Sequence, residues 1–312
     1  MGETAAVMHP DQIFVDAGQV AALVEHQFPQ WAALPVTAVR SHGTVNALFR
    51  IGGDLVGRFP IVAGDIDQTR RWLAADAEAA RWLLGRVPVA TPEPVVVGEP
   101  GEGYPLPWAV SRWLPGTTAD RAGVAQDPVF ARDVAGVVLA LRTLDTQGRR
   151  FEGTHRGGLL PSQDDYVTTC IARSEGMIDC RALTRLWAEL REAPRDDAPD
   201  LWTHGDLMPG NMLVTGGRLS AVIDVGGLMP ADPALDLQPA WNLMDPASRR
   251  VFRQTLRSSD AEWDRGRGWA FAQAIGCLHY YAVTNPVMSL TARRTLQALL
   301  DDTSTAPDRG PA

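Results

Sequence analysis

Across residues 16–28 the apolar side chains Val20, Ala21, Leu23, Val24 and Phe28 return at helical spacing, which predicts an amphipathic N-terminal helix. The period then shortens. Residues 36–40, 47–51 and 54–59 read as three short strands of a meander, joined by Ser41-His42-Gly43-Thr44-Val45-Asn46 and by Gly52-Gly53. A helical pattern covers 71–84. The proline- and glycine-dense stretch 88–107 holds one strand-like run at 95–97, and 108–114 predicts a last strand stopped by Pro115-Gly116. Beyond that point the chain turns helical, over 128–144, 166–174 and 181–193, with a polar, glycine-rich surface loop at 146–163. Further helices are expected at 238–244, 246–256, 260–283 and 286–301. The pattern predicts an α+β chain of two lobes: a small β-rich lobe at 1–112, a larger, mostly α-helical lobe at 113–302, and a disordered tail at 303–312.

Composition narrows the classes of function. Hydrophobic residues make up 45% and charged residues 21% of the 312 positions, an ordinary globular balance. No basic leader with an apolar core opens the chain, and no apolar run approaches the length of a membrane span, so a cytoplasmic protein with no membrane partner is expected. The formal net charge of −8 argues against a nucleic-acid partner, which is held by dense basic patches. A monomer or weak dimer is the expectation. Cys170, Cys180 and Cys277 are odd in number and lack metal-type spacing, which reads as reduced thiols. Every one of the 29 basic residues is arginine, so any task that a lysine performs elsewhere falls to arginine here.

The chemistry gathers in residues 202–237. Asp206 sits in a polar turn after Leu201 and Trp202, and Asn211 precedes the strand-like run Met212-Leu213-Val214. Gly216-Gly217 reverses the chain into a second run, 219–223, with Asp224 at its end. A hairpin brings its ends together, which predicts that Asp206, Asn211 and Asp224 converge. Asn211 and Asp224 supply the hard oxygens that Mg²⁺ prefers, one or two protein groups with phosphates and water completing the shell. The spacing is also the template for phosphoryl transfer: a loop Asp, an Asn beyond it that holds metal, and a later Asp at a D-x-G turn, here Asp224-Val225-Gly226.

Together, His204-Gly205-Asp206 with Asn211, the Ile223-Asp224-Val225-Gly226 turn and Asp232-Pro233-Ala234-Leu235-Asp236-Leu237 resemble the aminoglycoside phosphotransferase family, antibiotic kinases with a protein-kinase-like fold. The resemblance runs from about residue 30 to 301. It implies ATP or GTP as phosphoryl donor with Mg²⁺, and Asp206 as the base that takes the proton of an acceptor hydroxyl. It implies that Ser41, Gly43 and Asn46 belong to a loop over the nucleotide phosphates, and that backbone groups of Ser111, Arg112 and Trp113 meet the base. Arg58 stands where protein kinases carry a phosphate-pairing lysine, and Glu78 on the next helix is its expected partner, with Asp76 the competitor. His204 is expected to lock the loop by hydrogen bonding, and Asp232 and Asp236 to serve as caps or anchors. The acids Asp164, Asp165, Asp245, Asp260, Glu262 and Asp264 could draw a cationic antibiotic such as an aminoglycoside. The same motifs serve kinases of macrolides, choline, homoserine or sugars, and a non-catalytic nucleotide-binding module is the alternative from another class.

Overall fold

The computed structural model describes residues 11–41, 43–195 and 198–304, the last two of these by backbone only; His42 and the tail beyond 304 lie outside the described residues. Contacts within the chain divide it into two compact units. One runs to Gly116 and also takes Ser220–Gly227; the other is Thr117–Leu219 with Leu228 onward.

In the first unit, helix α1 (Ala17–Gln27) starts where the Asp16 carboxylate accepts the Gln19 N–H, and it buries Val20, Leu23 and Val24. Strands β1 (Val36–Val39), β2 (Asn46–Ile51) and β3 (Leu55–Pro60) form the expected meander. Helix α2 (Ile66–Leu83) begins before residue 71, the start read from periodicity, because Asp65 caps the Gln68 N–H and opens the helix earlier. Strands β4 (Pro94–Gly98) and β5 (Trp108–Arg112) complete an antiparallel sheet of order β1-β2-β3-β5-β4. Its core is aromatic: Phe59 stacks on Trp108 at 4.7 Å between centroids, with Tyr104 edge-on to Phe59.

In the second unit, β6 (Thr117–Thr118) leads to α3 (Pro128–Arg142), α4 (Asp164–Arg173) and α5 (Cys180–Leu190). Short strand β7 (Leu201–Thr203) precedes the functional stretch, in which β8 (Met212–Thr215) pairs with β6 and β9 (Arg218–Val222) carries the chain out of this unit into the first. Strand β10 (Met229–Ala231) returns antiparallel to β7. Helix α6 (Pro239–Asn242) is a single turn, shorter than the pattern suggests, since a 3₁₀ segment and Pro239 occupy its start. Helices α7 (Pro246–Leu256), α8 (Asp260–Tyr280) and α9 (Pro286–Ser304) follow. Helix α8 is the axis of this unit: Trp269, Phe271, Ala272 and Ile275 are fully buried on several of its faces, the mark of a core helix. Gly276 leaves room for the Tyr166 hydroxyl from α4, which would stand 1.7 Å from a Cβ there. Among the described residues no helix is long and apolar enough to cross a membrane.

Candidate active site

Within the first unit, Arg58 on β3 is the organising charge. Its Nη1 donates to Asp76 Oδ2 at 2.6 Å and its Nη2 to Asp224 Oδ1 at 3.3 Å. The partner expected at Glu78 is therefore Asp76, and the helix explains the correction. Helix α2 buries Leu73, Asp76, Ala77, Ala80 and Leu83, one stripe at i, i+3, i+4 spacing. Glu78 lies roughly 200° round the helix from Asp76 and is exposed. Burial pushes the Asp76 carboxyl above its ordinary value; the Arg58 guanidinium pulls it down by less, and Asp224 pushes it further up.

Asp224 is delivered to this pair by the end of β9. Val222 N–H donates to the Ala90 carbonyl, and Ala90 N–H to the Ser220 carbonyl, tying the strand into the first unit. Asp224 itself has φ 61°, a left-handed backbone that costs energy for any residue with a Cβ and that Asp tolerates better than most. Its side chain remains 53% exposed, so the carboxylate is available to a ligand. Gly226 completes the turn for a steric reason, since a Cβ there would lie 2.2 Å from Asp76 Oδ1. Val225 is buried.

The nucleotide-side expectations fare unevenly. Gly43 N–H donates to Ser41 Oγ at 2.9 Å, so this loop folds onto its own side chain. Asn46 opens β2 opposite Pro60, and its Oδ1 is buried without a partner among the described residues. Ser111 is paired with Val56 in the ladder, Arg112 N–H donates to the Glu93 carbonyl, and Trp113 N–H donates to the Asp54 carbonyl. The N–H groups of Arg112 and Trp113 are thus engaged within the first unit. The Trp113 ring carries the Arg50 guanidinium at 4.7 Å.

Within the second unit, the loop after β7 is fastened from below. The Asp236 carboxylate, fully buried, accepts the N–H groups of His204 at 2.8 Å and Gly205 at 2.9 Å. Burial pushes this carboxyl up, while His204 and the two N–H bonds oppose the rise. Gly205 takes φ 79°, the left-handed turn that glycine adopts without strain. The buried His204 ring stands with Nδ1 3.3 Å from the Asp206 N–H. Asp232 is also structural: fully buried, it accepts from Ala234 N–H, Arg265 Nε and Trp269 Nε1.

Asp206 emerges from this platform with both oxygens engaged. Asn211 Nδ2 donates to Oδ2 at 3.1 Å and to the Asp206 carbonyl at 2.9 Å. Gln273 Nε2, from α8, donates to Oδ1 at 2.6 Å. Arg156 Nη1 donates to Gln273 Oε1 at 2.7 Å, and its Nη2 lies 3.6 Å from Asp206 Oδ1. Gln273 and Arg156 carry no mark in the sequence: one lies on a helix buried on several faces, the other in a polar loop. Asp76 did carry one, its place on the apolar stripe.

The acids expected to attract a cation are mostly committed elsewhere. Asp164 pairs with Arg191 at 2.6 Å, Glu262 with Arg142 at 2.6 Å and Asp264 with Arg267 at 3.2 Å. Asp260 pairs with Arg253, and Asp245 caps α7 at the Ser248 N–H. Asp165 is exposed at the start of α4. Among the described residues no group of three or more His, Cys, Asp or Glu could hold a metal.

The profile of the phosphotransferase enzyme family matches residues 37–269. No curated protein matches the chain. A GDP and kanamycin complex of APH(2")-IIia is similar at TM-score 0.67 and 18% identity, covering 92% of this chain and 99% of that one. The apoenzyme of macrolide 2'-phosphotransferase MphH from Brachybacterium faecium gives 0.58 at 19% identity, covering 93% and 99%. Macrolide 2'-phosphotransferase type I gives 0.61 at 17%, covering 92% and 98%. At such identities these likenesses establish the shared fold. With the family profile spanning most of its length, this chain belongs to the phosphotransferase enzyme family.

Proposed function

We propose that this phosphotransferase moves the terminal phosphoryl group of a nucleoside triphosphate, ATP or GTP, to a hydroxyl of a small molecule of the antibiotic type. Fold neighbours solved with GDP and kanamycin, or with streptomycin and ATP, support the nucleotide and the small-molecule acceptor. The observation that carries the reading is the Asp206 carboxylate, held from one side by Gln273 at 2.6 Å and from the other by Asn211 at 3.1 Å. A carboxylate fixed in this way is a positioned base.

Asp206 accepts the hydroxyl proton as the acceptor oxygen bonds to the terminal phosphorus and the bond to the departing nucleoside diphosphate breaks. Asn211 and Asp224 fit a magnesium ion by donor type. The Asn211 Nδ2 is spent on Asp206, which turns its amide oxygen to ligand duty, and Asp224 keeps an exposed carboxylate. Magnesium, when bound, supplies positive charge against the phosphate oxygens. Arg58, fixed by Asp76, serves the phosphates on the first unit. Recognition of the base is assigned to backbone groups of Ser111, Arg112 and Trp113 other than the engaged N–H groups of the last two. Inactivation of an antibiotic in the cytoplasm is the role this reading gives the enzyme.

The test is mass spectrometry of a mixed panel of aminoglycosides, macrolides, peptide antibiotics and metabolites after incubation with enzyme, Mg²⁺ and either nucleotide. A phosphoryl adduct is expected, and Asp206→Ala should lower its rate by about 10²- to 10⁴-fold. Transfer that survives Asp206→Ala would remove this residue from the mechanism.

A further inference from the structure

Gln273 can hold Asp206 with only one end of its amide. A carboxylate accepts hydrogen bonds and donates none, so Nε2 of Gln273 has to face Asp206 Oδ1, where it stands at 2.6 Å. A glutamine left to itself has many rotamers, and either end of its amide can point forward. Arg156 removes that freedom. A guanidinium carries donors only, and its Nη1 donates to Gln273 Oε1 at 2.7 Å, which keeps the amide oxygen on the arginine and the amide nitrogen on the base.

Direct action of Arg156 on Asp206 is the weaker route. Its Nη2 lies 3.6 Å from Oδ1, beyond hydrogen-bonding range, and with the two side chains 26% and 36% exposed such an ion pair contributes little in water. A path through Gln238 is looser still: Arg156 Nη1 is 3.5 Å from its Oε1, and its Nε2 is 3.4 Å from the Gly205 carbonyl. The short bonds run through Gln273.

Both ends of this two-bond relay are built onto one segment. Gly157, next to Arg156, accepts the Asp232 N–H on its carbonyl at 2.8 Å. It has φ 122°, and a Cβ there would stand 2.9 Å from the Phe151 ring, so glycine is what lets the loop lie this close. The Asp232 carboxylate in turn accepts from Arg265 and Trp269 of α8, and Trp269 precedes Gln273 by about one turn. The arginine and the glutamine are therefore set against each other by the segment whose Asp236 also fastens the loop of Asp206.

On the phosphotransferase reading above, we propose that Arg156 is a positioning residue for the base: it orients the Gln273 amide, and Gln273 holds Asp206 with a lone pair still aimed at the acceptor hydroxyl.

The nucleoside diphosphate released from ATP or GTP with Mg²⁺ in the presence of the mixed panel counts transfer to every acceptor, water included, and gives kcat and nucleotide KM for each variant of the full chain. Gln273→Leu, close in size but with no donor, should lower kcat by roughly 10- to 100-fold and leave nucleotide KM near wild type. Gln273→Glu keeps the size and the Arg156 partner but not the donor, and should fall as far. Arg156→Ala should lower kcat by roughly tenfold, with most of the loss recovered in Arg156→Lys, whose ammonium can also donate to the amide oxygen. In the Gln273→Leu background, Arg156→Ala should change kcat by less than about twofold, since its route to the base is already cut. Arg156→Met, which keeps the apolar stem, takes its place where Arg156→Ala does not fold. Losses that multiply in the double variant, a Gln273→Glu enzyme near wild type, or a fall confined to nucleotide KM would overturn the proposal. Turnover that survives Asp206→Ala in the same assay would instead remove the phosphotransferase reading on which it rests.

Discussion

Replacing Asp76 and Glu78 separately tests whether the Arg58 partner was correctly identified. Both are acids on α2, two residues apart, yet only Asp76 meets Arg58, whose side chain is 15% exposed against 10% for Asp76. Breaking a buried ion pair by removing one partner costs roughly 3–5 kcal/mol, because the other charge is left desolvated. Two features reduce that here. Asp224 Oδ1 remains 3.3 Å from Arg58 Nη2, and the loss of Asp76 also relieves the burial that pushes its own carboxyl up. Asp76→Ala should therefore cost about 2–3 kcal/mol of stability. Arg58 would then lean on Asp224 alone and disturb the strained turn that presents it. A shift of about 1 Å in a positioned group lowers turnover by roughly 10²-fold. Glu78→Ala, at an exposed helical position, should stay within about 0.5 kcal/mol and near wild-type turnover. Urea unfolding midpoints and kcat/KM for nucleotide, measured on both variants, decide the matter. If Glu78→Ala falls as far as Asp76→Ala, or if Asp76→Ala matches wild type, the pairing assigned to α2 is wrong.

Asp236→Ala strips the acceptor from the buried N–H groups of His204 and Gly205, at about 1–3 kcal/mol each, partly offset by removing a buried carboxylate. Chemical denaturation should show a net loss of about 2–4 kcal/mol, and kcat should fall with little change in nucleotide KM; an unchanged kcat would separate the loop anchor from catalysis. Acid stability should depend on Asp133, whose carboxyl is held below its ordinary value first by the Arg218 hydrogen bonds. A depressed folded value stabilises above the unfolded one, and that contribution disappears as pH falls through the folded value. Asp133→Asn should thus be less stable than wild type at neutral pH and converge with it in acid; an equal deficit throughout would assign the effect to packing.

The sequence by itself determined the elements and the order of the chemistry. Helical and alternating periods placed the strands of the β1–β3 meander and most helices, because one-sided burial imprints its period on the chain. Three- and two-residue strands such as β7 and β6 escaped, being too short to show a period. The positions of Asp206, Asn211 and Asp224 in their motifs were also legible, since spacing along one hairpin is a local property. The tertiary structure decided the partnerships. It chose Asp76 over Glu78 because the stripe of α2 that meets the sheet, and not proximity in sequence, selects which acid is buried with Arg58. It engaged the N–H groups of Arg112 and Trp113 with the Glu93 and Asp54 carbonyls, partners that no local rule connects to them. It brought Gln273 and Arg156 to Asp206 from a core helix and a loop, and it paired off most of the acids that composition offered to a cationic acceptor. Hydrogen bonds and ion pairs between distant segments depend on where each backbone is carried, and that is fixed only when the hydrophobic cores close.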